Sequence, residues 1–367
     1  MSPGDQLYRA GGSTDNLFYN FTTVQASWVA CDGLAREFEI AAAMHGETRQ
    51  EFLNANQKRI LLRGVGCAFL DVIDAGSQIA IARANADFIA LQLAEAEKKF
   101  RAGDIQRSDV LNFSAKLKQS EQDIVRAGQT LELAKISLAV LMGYRSGCFP
   151  EKQEFSRPEA ETAAADLSVD YYLNSALNNR PDLNALREDL HIGKYVYYGT
   201  FSAFMPQIQL YTNYSNSVSS TSDSGNNPLF AGFTSQGNSF SYGALAYMNI
   251  FNGFRNFNRA RAAKAILDAA WLDASSKWLA AVEEVRNAKI NLDNARTLAR
   301  LTAESAAILR EQRDLVASEY RVGEVNIVRM NEAQTDFVVA EQTANSAATR
   351  AAKAAIELDA AAGLSLY

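Results

Sequence analysis

Proline is scarce in this sequence, 6 residues in 367, and none stands between Gly33 and Phe100. That excludes a loop-rich fold and leaves room for very long helices, because proline both removes a helical donor and clashes with the preceding turn. The 3 cysteines, Cys31, Cys67 and Cys148, are scattered and odd in number, so they specify neither a disulfide framework nor a zinc site. Only 2 histidines occur, His45 and His191. Each falls on an expected helix with no acid–nucleophile set around it and is read as an exposed helix residue, so no catalytic constellation, cofactor or metal site is expected. Positive charge is not in excess either: the net charge of -6 argues against nucleic acid as a partner. No unbroken apolar run reaches the length of a membrane-spanning helix, which is read as excluding such a helix but leaves a β-barrel open, since barrel strands need only about 9–11 alternating residues. Met1-Ser2-Pro3-Gly4-Asp5 contains no basic and apolar leader.

What fills the chain instead is alanine, the best helix former, in a sequence that is 48% apolar. Tyr320-Arg321-Val322-Gly323-Glu324-Val325-Asn326-Ile327 has a relative, Phe100-Arg101-Ala102-Gly103-Asp104-Ile105, 220 positions earlier. Glycine followed by an acid stops one helix and opens the next with negative charge in its first turn, so both stretches are expected to be tips of helical hairpins. The same offset relates Asp32-Gly33 to Asn252-Gly253, Glu121-Gln122 to Glu341-Gln342, and Leu138 with Gly143 to Leu358 with Gly363. Two internal repeats are therefore expected, each a whole structural unit.

In chain order, residues 1–143 form the first repeat, 144–180 a connector and 181–367 the second repeat. Asp5 to Gly33, with Tyr8, Tyr19, Phe21, Val24 and Trp28, reads as two short strands around a turn at Gly11 to Asn16. After Asp32-Gly33, a cap and turn, about 65 residues run on to Phe100 as one helix, about 100 Å long at the usual rise. Gly64 and Gly66 interrupt it as a bend or close contact rather than a phosphate loop, for no strand precedes them and their partners 220 positions on are Glu284 and Arg286. A returning helix runs to Gly143. The connector gathers Pro150 and Pro158 and ends in a short helix from Asp170 to Asn179, with Pro181 opening the next, which ends before Pro206. Strands follow at 207–214, where Ile208, Leu210 and Tyr214 oppose Gln207, Gln209 and Asn213, and at 239–251, with Phe240, Tyr242, Ala244, Ala246, Met248 and Ile250 outward. Ser215 to Asn238 reads as an exposed loop. The second long helix, from Phe254 to Tyr320, and its return, from Asn326 to Ala362, complete the pattern. The first repeat has no room for the leading helix that the second carries, so the sequence is expected to lack its natural beginning.

Over nearly its whole length the chain resembles the TolC-like outer membrane efflux family, the exit ducts of type I secretion and tripartite pumps. The likeness rests on Leu173-Asn174-Ser175-Ala176-Leu177-Asn178-Asn179-Arg180-Pro181-Asp182-Leu183, on Ile250-Phe251-Asn252-Gly253 and on the two tips. It implies a mainly helical fold with a membrane β-barrel part, in which antiparallel coiled-coil hairpins form a tunnel and four strands per chain enter a trimeric barrel. It also implies a homotrimer in outer membrane lipid of a Gram-negative-type bacterium, with its helices in the periplasm, that works with a periplasmic adaptor and an inner-membrane pump. The alternative is a structural coiled-coil protein outside any membrane. By the same resemblance, Asp109 and Tyr320 match positions that latch the periplasmic end, and Glu332 matches an acidic position at the entrance. Arg329 replaces an acid found there in some members, and Val325 stands where the latch often has arginine. Gly103, Asp104, Gly323 and Glu324 mark the tips where an adaptor would dock.

Overall fold

The computed structural model describes residues 16–149, 155, 167–222 and 234–364, and it is mainly helical with one small sheet. Strand β1 (Asn16–Cys31) leads to α1 (Ala35–Ala102), which turns into α2 (Arg107–Leu141). Then come α3 (Val169–Asn179), α4 (Pro181–Gly199), a 3-10 turn at Thr200–Phe204, β2 (Gln207–Ser222) and β3 (Thr234–Tyr247). Helices α5 (Arg255–Val322) and α6 (Ile327–Ala361) close the chain. Helices α1 and α5 have 68 residues each and α2 and α6 have 35 each. All four pairs of bounds differ by 220 positions.

The chain divides into two compact units, residues 1–47 with 188–271, and residues 48–187 with 272–367. The first holds the antiparallel sheet, ordered β1-β2-β3. Its register places Val24, Ala26 and Trp28 opposite Tyr214, Thr212 and Leu210, which in turn face Phe240, Tyr242 and Ala244. Because side chains alternate across a strand, these residues share one apolar face, while Gln25, Ser27, Gln209, Asn213, Ser239 and Ser241 share the other. β2 outruns the expected 207–214, continuing to Ser222, and β3 is displaced from the expected 239–251, beginning at Thr234 and stopping short at Tyr247. Serine, asparagine and glycine suggested a loop there, but paired backbone overrides weak strand propensity. The first of the two strands expected before Gly33 lies in residues 1–15, outside the described residues. Gly33 and Gly253 take positive φ and are followed by Leu34 and Phe254, also at positive φ, where strand passes into helix. The side chains of Asp32 and Asn252 then accept from the backbone N–H of Arg36 (3.2 Å) and Asn256 (3.3 Å), capping α1 and α5.

The second unit is held by alanine-rich helix packing. Val285, Ala288 and Leu292 of α5 meet Ala354 and Leu358 of α6 and Tyr172 and Ala176 of α3 in one core cluster. Ala68 and Val72 of α1 meet Leu138 of α2 in another. At Gly66 the fit to α6 is close, for a Cβ would lie 3.1 Å from Ile356 Cδ1, whereas Gly64 has open space around it. Helix α1 is continuous through both glycines. One expectation from sequence was too strong: α1 contains an 18-residue window apolar enough, by length and composition, to cross a membrane. Between Gly64 and Ala82 only Asp71 and Asp74 are charged, and valine, leucine, isoleucine and phenylalanine supply most of that character in short runs that polar and small residues interrupt.

Candidate functional site

Both hairpin tips are built alike. Gly103 and Gly323 each have φ +85, which a side chain would disfavour. At the first, Asp104 N–H donates to Lys99 O (2.9 Å) and Gly103 N–H to Phe100 O (3.0 Å); at the second, Glu324 N–H donates to Glu319 O (3.0 Å) and Gly323 N–H to Tyr320 O (3.2 Å). This is the Schellman pattern, which satisfies carbonyls that the helix end leaves free. Gly103, Asp104, Gly323 and Glu324 are all exposed.

The hairpins meet at these tips. Tyr320 is buried, 7% exposed, with its ring edge-on to Phe113 of α2 at 6.0 Å. Ala96, Val316, Ala317, Met330 and Ala333 complete the cluster. Burial first, then the charges of Asp109 and Glu95, push the Tyr320 phenol up from its ordinary value, so it stays protonated at neutral pH. Asp109 is half-buried in the first turn of α2, and among the described residues no hydrogen bond joins it to Tyr320. The carboxylate thus disfavours ionisation of the phenol and accepts no hydrogen bond from it. Arg329 and Glu332 are exposed and pair with each other at 3.7 Å along α6. The arginine thus partly offsets the acid beside it.

Side chains not singled out from sequence also join the hairpins. Lys99 Nζ reaches from α1 to the carbonyls of Tyr320 (3.3 Å) and Arg321 (3.2 Å) at the end of α5. Asn331 of α6 donates to Asn112 of α2 at 3.0 Å, and Gln334 of α6 donates to Asn85 of α1 at 2.7 Å. A lysine in the last turn of a helix reads as a partner for that helix's own dipole, so nothing in the sequence points Lys99 at a different helix.

At the far end of α6 stands a second constellation, and it explains the Arg180-Pro181-Asp182 stretch. Arg180 donates to Glu284 of α5 (2.7 Å), to Ala361 O (3.0 Å) and, through two nitrogens, to Asp182 (3.1 and 2.7 Å). Arg59 of α1 donates to Ala360 O and lies 3.8 Å from Asp182. Two guanidiniums thus cap the carboxyl end of α6, where the helix dipole favours cations. Burial alone would raise Asp182, but the hydrogen bonds and charge of Arg180, with Arg59, bring it below the usual carboxylate value.

In the other unit His191 is an exposed helix residue, as expected, whereas His45 is half-buried. Their rings stack 4.9 Å apart, Tyr195 stacks on His45 at 5.4 Å, and His45 Nδ1 lies 2.5 Å from Glu188 Oε2. Among the described residues no group of three or more His, Cys, Asp or Glu could hold a metal ion.

Long paired helices closed by glycine turns and a sheet with an apolar face are the two kinds of structure that the chain contains. The chain belongs to the outer membrane efflux protein family, whose family model matches residues 172–364, a little over half of it. Proteins of this family are channels and not enzymes, and their place is the outer membrane. Nodulation protein T of Rhizobium leguminosarum bv. trifolii is 23% identical over 268 residues, covering 73% of this chain and 55% of that protein. The chain thus spans about half the length of this curated relative. Among solved structures, CusC superposes with TM-score 0.78 at 16% identity, covering 96% of this chain and 84% of that one. The open state of the Neisseria gonorrhoeae MtrE outer membrane channel gives 0.72 at 17%, covering 95% and 80%.

Proposed function

We propose that the chain is one protomer of a homotrimeric, passive exit duct for efflux or secretion, opened when a periplasmic adaptor and an inner-membrane pump dock at its tips. The apolar face shared by β1, β2 and β3 carries this reading, because Trp28 and Tyr242 stand 62% and 79% exposed on it. Such a face suits lipid. In lipid every strand edge must be paired, since an unsatisfied backbone group costs several kcal/mol, so the outer edges of β1 and β3, unpaired among the described residues, call for closure by strands of further copies. The equal bounds of α1 and α5 and of α2 and α6 support an internal duplication, with the four-stranded contribution per chain as its counterpart in the barrel. The tips are the entrance in this reading: Asp109, Tyr320, Arg329 and Glu332 set its charge, and Gly103, Asp104, Gly323 and Glu324 face the adaptor. An open state like that described for MtrE would follow from separation of the hairpins.

Detergent-solubilised protein should have the mass of a trimer and give steady conductance in planar bilayers. A protein that stays monodisperse without detergent and never conducts would instead be a coiled-coil protein outside the membrane.

A further inference from the structure

The geometry points to Lys99 as a positioning residue of the entrance, a tie from the first hairpin that holds the end of α5, and with it Tyr320, against α1. Lys99 is the fourth residue from the end of α1, and its own carbonyl already serves its own turn by accepting Asp104 N–H. Its side chain serves the other hairpin instead. Nζ lies 5.0 Å from the centroid of the Tyr320 ring while donating to two of the last carbonyls of α5. Tyr320 O also takes Gly323 N–H, but Arg321 O has no other hydrogen-bond donor among the described residues, so the ammonium answers a carbonyl that the helix end leaves free. The negative end of the α5 dipole and the face of a buried tyrosine both favour a cation at this point. A second, longer link between the same helices joins Glu95 to Arg321 at 4.0 Å. The relation runs one way only, for the residue 220 positions after Lys99 is Glu319, an acid that cannot donate to a carbonyl in this manner.

The consequence for function rests on the reading of the tips as the entrance of a duct, and two readouts separate the tie from that reading. Spin labels at Asp104→Cys and Glu324→Cys, in a chain whose three cysteines are replaced by serine and diluted with unlabelled protomers, report the separation of the two tips. Lys99→Met should move the distribution from short to long distance by about 2- to 5-fold in population, the range a cation contributes at a helix C-terminus. Lys99→Arg, which keeps the charge and donors, should match the unaltered protein. If Lys99→Met does not fold, Lys99→Gln replaces it and should give a smaller shift in the same direction. An unchanged distribution in either variant, or an arginine variant that behaves like the methionine one, overturns the tie. Conductance in planar bilayers should rise together with the separation. Separated tips with unchanged conductance would establish the tie and count against the entrance reading instead.

Discussion

The two tips share a backbone and differ in everything around it. Gly103 and Gly323 have the same φ, and each is closed by the same two hydrogen bonds. Yet Phe100, before the first glycine, is 43% exposed, while Tyr320, in the corresponding place before the second, is 7% exposed. The turn is dictated locally, by one residue able to take positive φ. Burial is dictated by neighbours: the end of α5 lies against Lys99 of α1 and Phe113 of α2, whereas Phe100 has no such cover among the described residues. The hairpin bases repeat the lesson. Gly143 and Gly363 both have positive φ, but a Cβ on the first would meet nothing within 4 Å and one on the second would meet Arg180.

The largest break in this comparison should come from Arg180→Ala, which leaves the base of the second hairpin with its backbone closure and without the arginine that, among the described residues, the first base lacks. The arginine side chain is only 6% exposed and holds Glu284, Asp182 and Ala361 O together. Removing it leaves Asp182 without its main partner and costs about 3–5 kcal/mol, measurable by denaturant unfolding in detergent. The pH dependence follows with it. Asp182 lies below its unfolded value when folded, so its contribution is complete above about pH 4 and is lost as pH falls through the folded pKa. That acid loss should be smaller in the Arg180→Ala protein.

Next in size is the contrast between Tyr320→Ala and Phe100→Ala. Truncating the buried ring removes its packing on Phe113 and Met330 and should cost about 3 kcal/mol. Truncating the exposed one should stay within about 0.5 kcal/mol in the isolated protomer. Equal costs would mean that Phe100 is covered in the assembled protein, a result that a crosslink from position 100 to a neighbouring protomer would check.

How far the sequence was legible follows the same division. Helix bounds, the cap at Asp32, the short helix α3 and the glycine tips were all readable, because each depends on residues a few positions apart. The extent of β2 and β3 was not. Ser215, Asn216, Ser217 and Ser219 look like loop and become strand only because β1 and β3 pair with them. The role of Arg180 was hidden in another way: the stretch could be noticed, but its partners Glu284 and Ala361 are 104 and 181 positions distant. The stack of His45 on His191 was likewise beyond a reading that weighs each histidine against its own helix.

A smaller difference should separate Gly363→Ala from Gly143→Ala. Both force a side chain into a left-handed conformation, at about 1 kcal/mol each. At Gly363 the new Cβ would also stand 2.9 Å from Arg180 N and 3.1 Å from Asn179 C, so backbone must shift. Overpacking of that kind adds about 1–3 kcal/mol. The order of the two unfolding midpoints decides the matter, and a Gly143→Ala protein as destabilised as Gly363→Ala would show that the first base is also covered.

The smallest expected effect concerns the caps after the tips. Asn326 accepts the N–H of Arg329 at 3.0 Å through its side chain and so satisfies one free donor at the start of α6. Gln106, before α2, makes no side-chain cap, although its backbone has the same extended conformation. Its longer side chain is a poor match for a cap that asparagine, with one methylene fewer, fits well. Asn326→Ala should therefore cost about 1 kcal/mol, and Gln106→Ala close to nothing. Gln106→Asn tests the same point in reverse, for it should stabilise the first tip by nearly the amount that Asn326→Ala removes from the second. Hydrogen exchange at the amides of residues 107–109 and 327–329 reads the two ends separately. If Gln106→Asn leaves the first set unprotected, the two tips differ in more than the cap, and the weaker burial around Phe100 sets the stability of that end.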